Sequence, residues 1–301
     1  MSDSQNTSQN TSQNIVISHI ATSHIATSQD TLETDTNEET VKLKKYRKYW
    51  WKTGKYHQKA NWEEASLPYE LAIDVSWEEY VEKTDKYNIH GWWEWENGVV
   101  RVIELSSLFH ESGVDAVVRQ IHRATENVMR TNYDIIGLGT ASHVGSPKKH
   151  ASFRPVAKPR VNRGGSDGKN QPWPNLIVEF AYAETEAHIK DKLEKYWLMN
   201  DRAHDAIVIK IEPITSVTTP PTTPMYMIAW HYCINNVTAI GVLNPTMYEF
   251  GSVDCQGNPI NPQLGQNVIN IRLECLYHGV PNVVIPSLPL PNHIPIDLFD
   301  V

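Results

Sequence analysis

The pattern of apolar and polar positions is most informative in residues 173–197. Residues 176–182, Leu-Ile-Val-Glu-Phe-Ala-Tyr, form a short run of branched and aromatic residues that predicts a strand buried on both faces. Apolar residues at helical spacing then predict a helix: Ile189, Leu193, Tyr196 and Trp197. The strand holds one carboxylate, Glu179, which is costly to bury unless a positive group meets it. Because Lys192 lies beside the apolar stripe of the helix, the pattern predicts a buried Glu–Lys pair and a metal-dependent hydrolytic site.

The flanking sequence predicts an α/β fold with one mixed sheet flanked by helices. A helix is expected to begin at Ser76, with Glu79 completing a capping box, and a hairpin is expected to turn at Asn97-Gly98. A long amphipathic helix over residues 111–130 and strands over 135–142, 151–155 and 205–211 follow. After residue 213, strand-like segments at 225–233, 237–242 and 268–276 predict a β-rich extension packed on the core.

Composition divides the chain into four predicted segments. Residues 1–40 are a polar low-complexity tail, with Ser-Gln-Asn-Thr repeats, that is expected to be disordered. Residues 41–66 are a basic and aromatic linker, with eight Lys/Arg and no acid over 41–61. This linker either tracks phosphates and stacks bases or is a solvated connection. Residues 67–213 are predicted to form the α/β domain, and residues 214–301 are the β-rich extension.

Bulk charge and targeting signals narrow the classes of function. The net charge of −8 and the pI of about 5.9 exclude binding of polyanions by overall electrostatics, so nucleic-acid contacts must come from local basic patches. The spacings of the three cysteines fit neither a CxxC pair nor a disulfide framework, so buried or free thiols in a reducing compartment are expected. With no signal peptide or membrane-spanning run in the sequence, we expect an intracellular protein, cytoplasmic or nuclear, with no membrane partner.

Several motifs resemble one family when they are taken in order. The series WEEYVEKTDKYNIHGWWEWENGVVRVIELSSLFHE, then PNLIVEFAY, then KLEKYW is similar to the Uma family of restriction endonucleases, within the PD-(D/E)XK nuclease superfamily. The similarity covers residues 75–211, under half of the chain. The residues that match the family pattern are Glu78-Glu79-Tyr80, Glu94 with Asn97-Gly98, His110, Glu179, and Lys192-Leu193 with Tyr196. The resemblance implies a PD-(D/E)XK restriction-endonuclease-like core.

The resemblance also implies a site and its cofactor. Glu179 would bind Mg²⁺ or Mn²⁺, which activates water against a DNA phosphodiester, and Lys192 would stabilise the transition state. The superfamily lysine usually lies two residues after the glutamate, where this chain has Ala181, so Lys192 would take its place from the following helix. Glu111, at the start of the long helix, and Glu94 are further candidate metal ligands. Their alternatives are a partner of the helix dipole and an exposed hairpin charge.

The chain departs from the family at the second metal ligand. His150 stands where a Pro-Asp carboxylate is expected, and neutral histidine is a poor Mg²⁺ ligand that prefers softer metals. Three outcomes are open. His150 and Glu179 together bind Mn²⁺, or Asp134 or Asp167 supplies the missing carboxylate, or the site has lost strong metal binding.

A basic loop beside this site is the predicted nucleic-acid interface. Its candidate phosphate ligands are Lys148, Lys149, Arg154, Lys158, Arg160 and Arg163. The alternative is a flexible surface insertion. The sequence thus favours the hypothesis of a metal-dependent endonuclease that acts on DNA. The second hypothesis is a catalytically degenerate nuclease fold that binds nucleic acid, and the third is a protein-interaction module. Homodimerisation and protein partners are left open.

Overall fold

The computed structural model describes residues 42–57, 59–60, 67–87, 89, 93–103, 108–139, 150–182, 184–212, 226–281, 290 and 292–301. The tail predicted over residues 1–40 lies outside these ranges, as do Lys148 and Lys149. The chain divides into two compact units, Met1–Lys44 and Lys45–Val301. Of the first unit only residues 42–44 are described, and they are helical. All of the contacts below belong to the second unit.

A small antiparallel sheet and two helices form the amino-terminal part of the second unit. Helix α1 covers residues 42–53, of which residues 45–53 belong to this unit. The other elements are β1 (Tyr69–Ala72), α2 (Trp77–Tyr87), β2 (Trp93–Glu96) and β3 (Val99–Val102), with strand order β1-β3-β2. Asn97 and Gly98 have φ of 50° and 83° and connect β2 to β3, which confirms the predicted hairpin. The Ser76 hydroxyl accepts from the N–H of Glu79 at 3.1 Å, as a capping residue does.

The basic and aromatic segment expected to be a linker contains helix α1, because its aromatic side chains pack on the small sheet. Trp50 is fully buried, and its ring lies 6.4 Å from that of Trp93. The ring of Trp51 lies 5.2 Å from the same Trp93 and receives the ammonium of Lys83 at 4.4 Å from its centroid. The hydroxyl of Tyr87 donates to the Lys52 carbonyl at 2.7 Å. Burial of these rings holds the helix against the body.

A six-stranded mixed sheet is the centre of the molecule. Its order is β4-β5-β6-β7-β8-β9, and only β6 and β7 run parallel within the described residues. The strands are β4 (Ile135–Gly137), β5 (Ala151–Pro155), β6 (Leu176–Ala181), β7 (Asp205–Ile211), β8 (Tyr226–Cys233) and β9 (Thr246–Gly251). All residues of β6 and β7 are buried, which explains their mainly apolar sequence.

Helices cover both faces of this sheet, so the α/β architecture with a mixed sheet flanked by helices is confirmed. Helix α3 (Leu108–Thr125) packs on the face that holds Val178 and Phe180. Helix α4 (Glu186–Lys192) continues as one π-helical turn (Leu193–Trp197) and shares an apolar cluster with Ile177 and Ala181 on the other face. None of the helices in the described ranges is long and apolar enough to cross a bilayer.

The region after residue 213 continues the same sheet and core. Strand β8 pairs with β7 over seven residue pairs, and β9 pairs with β8. A separate two-stranded sheet follows, formed by β10 (Val268–Arg272) and β11 (His293–Asp297), with the short helix α5 (Leu273–Leu276) directly after β10. The side chain of Gln120 on α3 bonds both the carbonyl and the N–H of Asp297, at 3.1 and 2.8 Å. These contacts tie the two-stranded sheet to α3.

Candidate active site

Glu179 lies in the interior of β6, on the face that α4 covers. Side chains alternate along a strand, so Glu179 shares its face with Ile177 and Ala181, which pack against α4. The residue is only 3% exposed. A carboxylate at this depth needs a positive partner or it loses its charge, and the fold supplies one.

Lys192 provides that charge from the last turn of α4. Its Nζ lies 2.5 Å from Oε1 of Glu179, as the sequence predicted. The same Nζ lies 2.8 and 2.9 Å from the two oxygens of Glu184, a residue the sequence analysis did not single out. All three side chains are nearly inaccessible to solvent. One ammonium is therefore shared by two buried carboxylates.

The charges of neighbouring groups outweigh burial in determining the pKa values of Lys192 and Glu179. Burial alone favours a neutral amine, but the carboxylates of Glu179 and Glu184 outweigh it and raise the pKa of Lys192. Burial also disfavours an ionised carboxylate, yet the Lys192 ammonium keeps the pKa of Glu179 below its ordinary value. Both groups are therefore charged at neutral pH.

His188 extends the site toward solvent and brings in Glu94. Its Nδ1 lies 2.6 Å from Oε1 of Glu184, and its Nε2 lies 3.0 Å from Oε2 of Glu94. Hydrogen bonds to these two carboxylates, first to Glu184, raise the pKa of His188 to about 10, so it is a cation at neutral pH. The His188 side chain is 37% exposed and that of Glu94 is 22% exposed. We call Glu94, Glu179, Glu184, His188 and Lys192 the acid–lysine cluster; His188 covers its accessible side.

His150 lies beside Glu179 but is engaged with the backbone. It directly precedes β5, and its Nδ1 accepts the N–H of Phe180 at 2.9 Å. An accepting nitrogen carries no proton, so the 3.3 Å contact between Nδ1 and Glu179 Oε2 joins two acceptors and is not an ion pair. Oε2 has no hydrogen bond to any residue that the structure describes. The His150 nitrogen that faces Glu179, Nδ1, is thus occupied by the hydrogen bond from Phe180.

The other candidate acid, Glu111, is separated from Glu179 by the side chains of His110 and His150. Its Oε1 is 3.5 Å from Nδ1 of His110, and its side chain is 63% exposed. The ring of His110 meets the ring of His150 edge to face, with 4.2 Å between centroids. Glu111 is therefore on the rim of the site, whereas Glu94 joins the acid–lysine cluster through His188.

Of the predicted phosphate ligands that the structure describes, Arg154 lies near the end of β5, and Lys158, Arg160 and Arg163 follow this strand, whereas His150 precedes it. Arg154 donates to Gln171 and to the Pro172 carbonyl, and Lys158 donates to Asn175 and the Trp173 carbonyl. Burial, with the nearby Arg154 charge, lowers the pKa of Lys158 to about 8. The side chains of Arg154 and Lys158 thus form hydrogen bonds within their own loop region. Arg160 and Arg163 are exposed and available to a ligand.

The two alternative carboxylates are also far from Glu179. Asp134 precedes β4, whose first residue pairs with Pro155 at the distant end of β5, and it accepts the N–H of Arg130. Asp167 lies in the loop after β5 and accepts the N–H groups of Lys169 and Gln171. Neither is placed to complete a metal site with Glu179.

A simple spacing could have identified the missed residues. Glu184, His188 and Lys192 follow one another at intervals of four, which places them on one face of a helix. Thr185 caps α4 by accepting the N–H of His188, so Glu184 stands just before the first turn. The sequence analysis followed the apolar stripe and so found Lys192 without its two partners.

Two comparisons with known proteins add no relative to this picture. No family model matches the chain, and no curated protein matches it significantly. The functional argument therefore rests on the geometry of the acid–lysine cluster.

Proposed function

We propose that this chain is a metal-dependent endonuclease of the PD-(D/E)XK kind that hydrolyses DNA phosphodiesters at the acid–lysine cluster. The observation that supports this most is the pair of buried carboxylates, Glu179 and Glu184, around the ammonium of Lys192. A strand glutamate, a nearby second carboxylate and a lysine are the groups that this chemistry requires. The resemblance of residues 75–211 to the Uma family is consistent with it.

The donor atoms fit a hard divalent cation. Mg²⁺ binds through one or two carboxylates and keeps several waters, and Mn²⁺ accepts similar ligands. Glu179 Oε2 is a buried carboxylate oxygen without a hydrogen bond in the described residues, and Glu184 supplies the second carboxylate. Glu184 thus replaces the expected strand aspartate, while His150 Nδ1 is held by Phe180. The bound cation would polarise the phosphoryl group and lower the pKa of an attacking water.

The remaining side chains have distinct tasks in this proposal. The Lys192 ammonium, freed from one carboxylate, neutralises negative charge that develops on the phosphate. His188 and Glu94 form the accessible side, so the substrate must approach past them. Because His188 bonds both Glu94 and Glu184, its displacement opens the path to the two buried carboxylates.

The test is cleavage of supercoiled plasmid DNA with Mg²⁺ or Mn²⁺. Glu179→Gln and Glu184→Gln are expected to abolish nicking, and Lys192→Met to slow it by about 10²- to 10³-fold. Lys190→Met and Glu194→Gln are matched controls, since they form an exposed pair at 3.8 Å in the same helical segment. Cleavage that persists in Glu179→Gln and Glu184→Gln would rule out this site.

One observation favours a second candidate, a degenerate nuclease fold that binds nucleic acid without cutting it. The Nδ1 of His150, at the place of the expected carboxylate, is used by the Phe180 N–H. If this second function is correct, the wild-type protein should bind DNA without cutting it, and the substitution His150→Asp should restore cleavage. DNA binding should weaken with salt, and replacing Arg160 and Arg163 by Gln should lower the slope of log K against log salt by about 1 per residue. Arg119→Gln, an exposed arginine paired with Asp115, is the control.

A further inference from the structure

A second buried cluster lies at the other end of the β6–β7 pair. Asp205 is the first residue of β7, and its partner across the strand pair is Cys233, the last residue of β8. Cys275 approaches from α5, and its sulfur lies 3.6 Å from that of Cys233. All three residues are buried, and one possible ligand atom from each lies within 4.8 Å of the others. We call Asp205, Cys233 and Cys275 the sulfur cluster.

The fold holds these three residues in place through Asn175. The carbonyl of Asn175 accepts the N–H of Asp205 at 3.0 Å, and its side chain donates to the carbonyls of Cys275 and His278 at 3.2 and 2.9 Å. Asn175 is itself fully buried. Through its backbone carbonyl and its side chain, Asn175 therefore connects the start of β7 to α5, and this provides the preorganisation that a ligand site needs.

The carboxylate of Asp205 has one oxygen that forms a contact with His231 and one that has no hydrogen bond within the described residues. Oδ1 of Asp205 lies 3.0 Å from Nε2 of His231, whereas its buried Oδ2 has no hydrogen bond to any described residue. Burial of a carboxylate oxygen without a partner is costly, so Oδ2 indicates a missing positive group. The His231 contact resembles the outer hydrogen bonds that orient metal ligands.

The distances and charges fit one soft divalent cation. Two sulfurs bound at the usual 2.3 Å to a tetrahedral zinc ion lie about 3.8 Å apart, close to the 3.6 Å observed. Two thiolates and a carboxylate carry three negative charges. A divalent cation balances two of them, and Arg272, whose guanidinium donates to Cys233 at 3.1 Å, balances the third. Thiolates select zinc over magnesium.

We propose that Asp205, Cys233 and Cys275 bind one Zn²⁺ ion, with a fourth position open to water or another ligand. His231 is a positioning residue that orients Asp205. The ion would join β7, β8 and α5, and so would link the central sheet to the carboxyl-terminal segment. The site uses none of the residues of the acid–lysine cluster.

The test measures zinc binding by the reduced full-length chain, in competition with a chromogenic chelator. The wild type should bind one equivalent, and Cys233→Ser and Cys275→Ser should each weaken binding by about 100-fold or more. His231→Gln should weaken it by about 10- to 100-fold, the usual effect of losing an outer hydrogen bond. Cys255→Ser, which changes the exposed third cysteine, should bind zinc like the wild type.

Cobalt gives a second readout that does not depend on any variant folding. Co²⁺ bound to the wild type should show thiolate-to-metal charge-transfer absorption, which zinc then displaces. The proposal is overturned if the reduced wild type binds no zinc, or if the double variant of Cys233 and Cys275 binds it equally well. It is also overturned if the two sulfurs form a disulfide, for which they must approach to about 2.0 Å, and the reduced chain does not bind zinc.

Discussion

The acid–lysine cluster and the sulfur cluster differ in where their positive charge comes from. The acid–lysine cluster, around the carboxyl-terminal half of β6, holds three carboxylates together with Lys192 and a protonated His188. The sulfur cluster, at the start of β7, holds one carboxylate and two thiols, and the Arg272 guanidinium and the Asn235 amide donate to its sulfurs. The acid–lysine cluster has nearly balanced charges without a ligand. The sulfur cluster carries a net negative charge once its thiols ionise.

This difference indicates how each cluster responds to change. A cluster that contains its own cation loses stability when that cation is removed, because the buried anions are left uncompensated. A cluster that lacks a cation gains stability when one binds, because binding favours the folded state. The two ends of the same strand pair are thus expected to respond in opposite ways to the loss or gain of a cation.

Removal of Lys192 should have the largest effect. Lys192→Met leaves the carboxylates of Glu179 and Glu184 buried without an ammonium, which should lower the free energy of unfolding by about 3–5 kcal/mol. Urea unfolding measures the change. Lys190→Met is the control, and as an exposed substitution it should change stability by less than about 0.5 kcal/mol.

Neutralising the acids tests the cause of this loss. The combination of Lys192→Met with Glu179→Gln and Glu184→Gln should recover part of the stability, because no uncompensated charge is left. If Lys192→Met unfolds like Lys190→Met, the two carboxylates are not charged and buried as the structure has them.

Zinc should act on the sulfur cluster in the opposite direction. At a free concentration 100 times the dissociation constant, Zn²⁺ should add about 2.7 kcal/mol to the free energy of unfolding of the reduced chain. Thermal or urea unfolding with and without zinc measures the gain. Lys192→Met should keep it, whereas the double variant Cys233→Ser and Cys275→Ser should lose it. Equal gains in both variants would contradict the separation of the two clusters.

The sequence predicted the acid–lysine cluster in part because its signals are local. A glutamate inside an apolar strand and a lysine on the next helix are visible in the run of residues, and the Asn97-Gly98 turn is equally local. Glu94 reaches the cluster only through His188, a contact across almost a hundred positions, which no periodicity reveals.

The sulfur cluster could not be predicted in the same way. Cys233 and Cys275 lie 42 positions apart and meet because β8 joins the central sheet and Asn175 holds α5. Their sequence spacing fits no metal motif, so only the tertiary structure brings the sulfurs together. The basic segment was harder for another reason: its charges indicate a linker, and the burial of Trp50 against the small sheet decides otherwise.

A change in packing beside the acid–lysine cluster should have an intermediate effect. Helix α3 approaches β6 so closely at Gly113 that an added Cβ would lie 2.4 Å from a ring carbon of Phe180. Gly113→Ala should therefore cost about 1–3 kcal/mol by overpacking, although alanine favours a helix. Urea unfolding measures it, and unchanged zinc binding by this variant is the control. A stabilised variant would show that α3 can move away from the sheet.

The smallest expected effect is the pH dependence that His188 contributes. Its pKa is raised from 6.5 to about 10 in the folded state, mainly by hydrogen bonds to Glu184 and Glu94. The stabilisation is therefore present in full below pH 6.5, where His188 is charged in both states, and is lost as the pH rises to 10. The measured quantity is the difference in unfolding free energy between wild type and His188→Asn, which should shrink over this range. Taking the difference cancels Lys158, whose lowered pKa has the opposite sign. A difference that is constant from pH 6.5 to 10 would show that His188 is not held as a cation between the two glutamates.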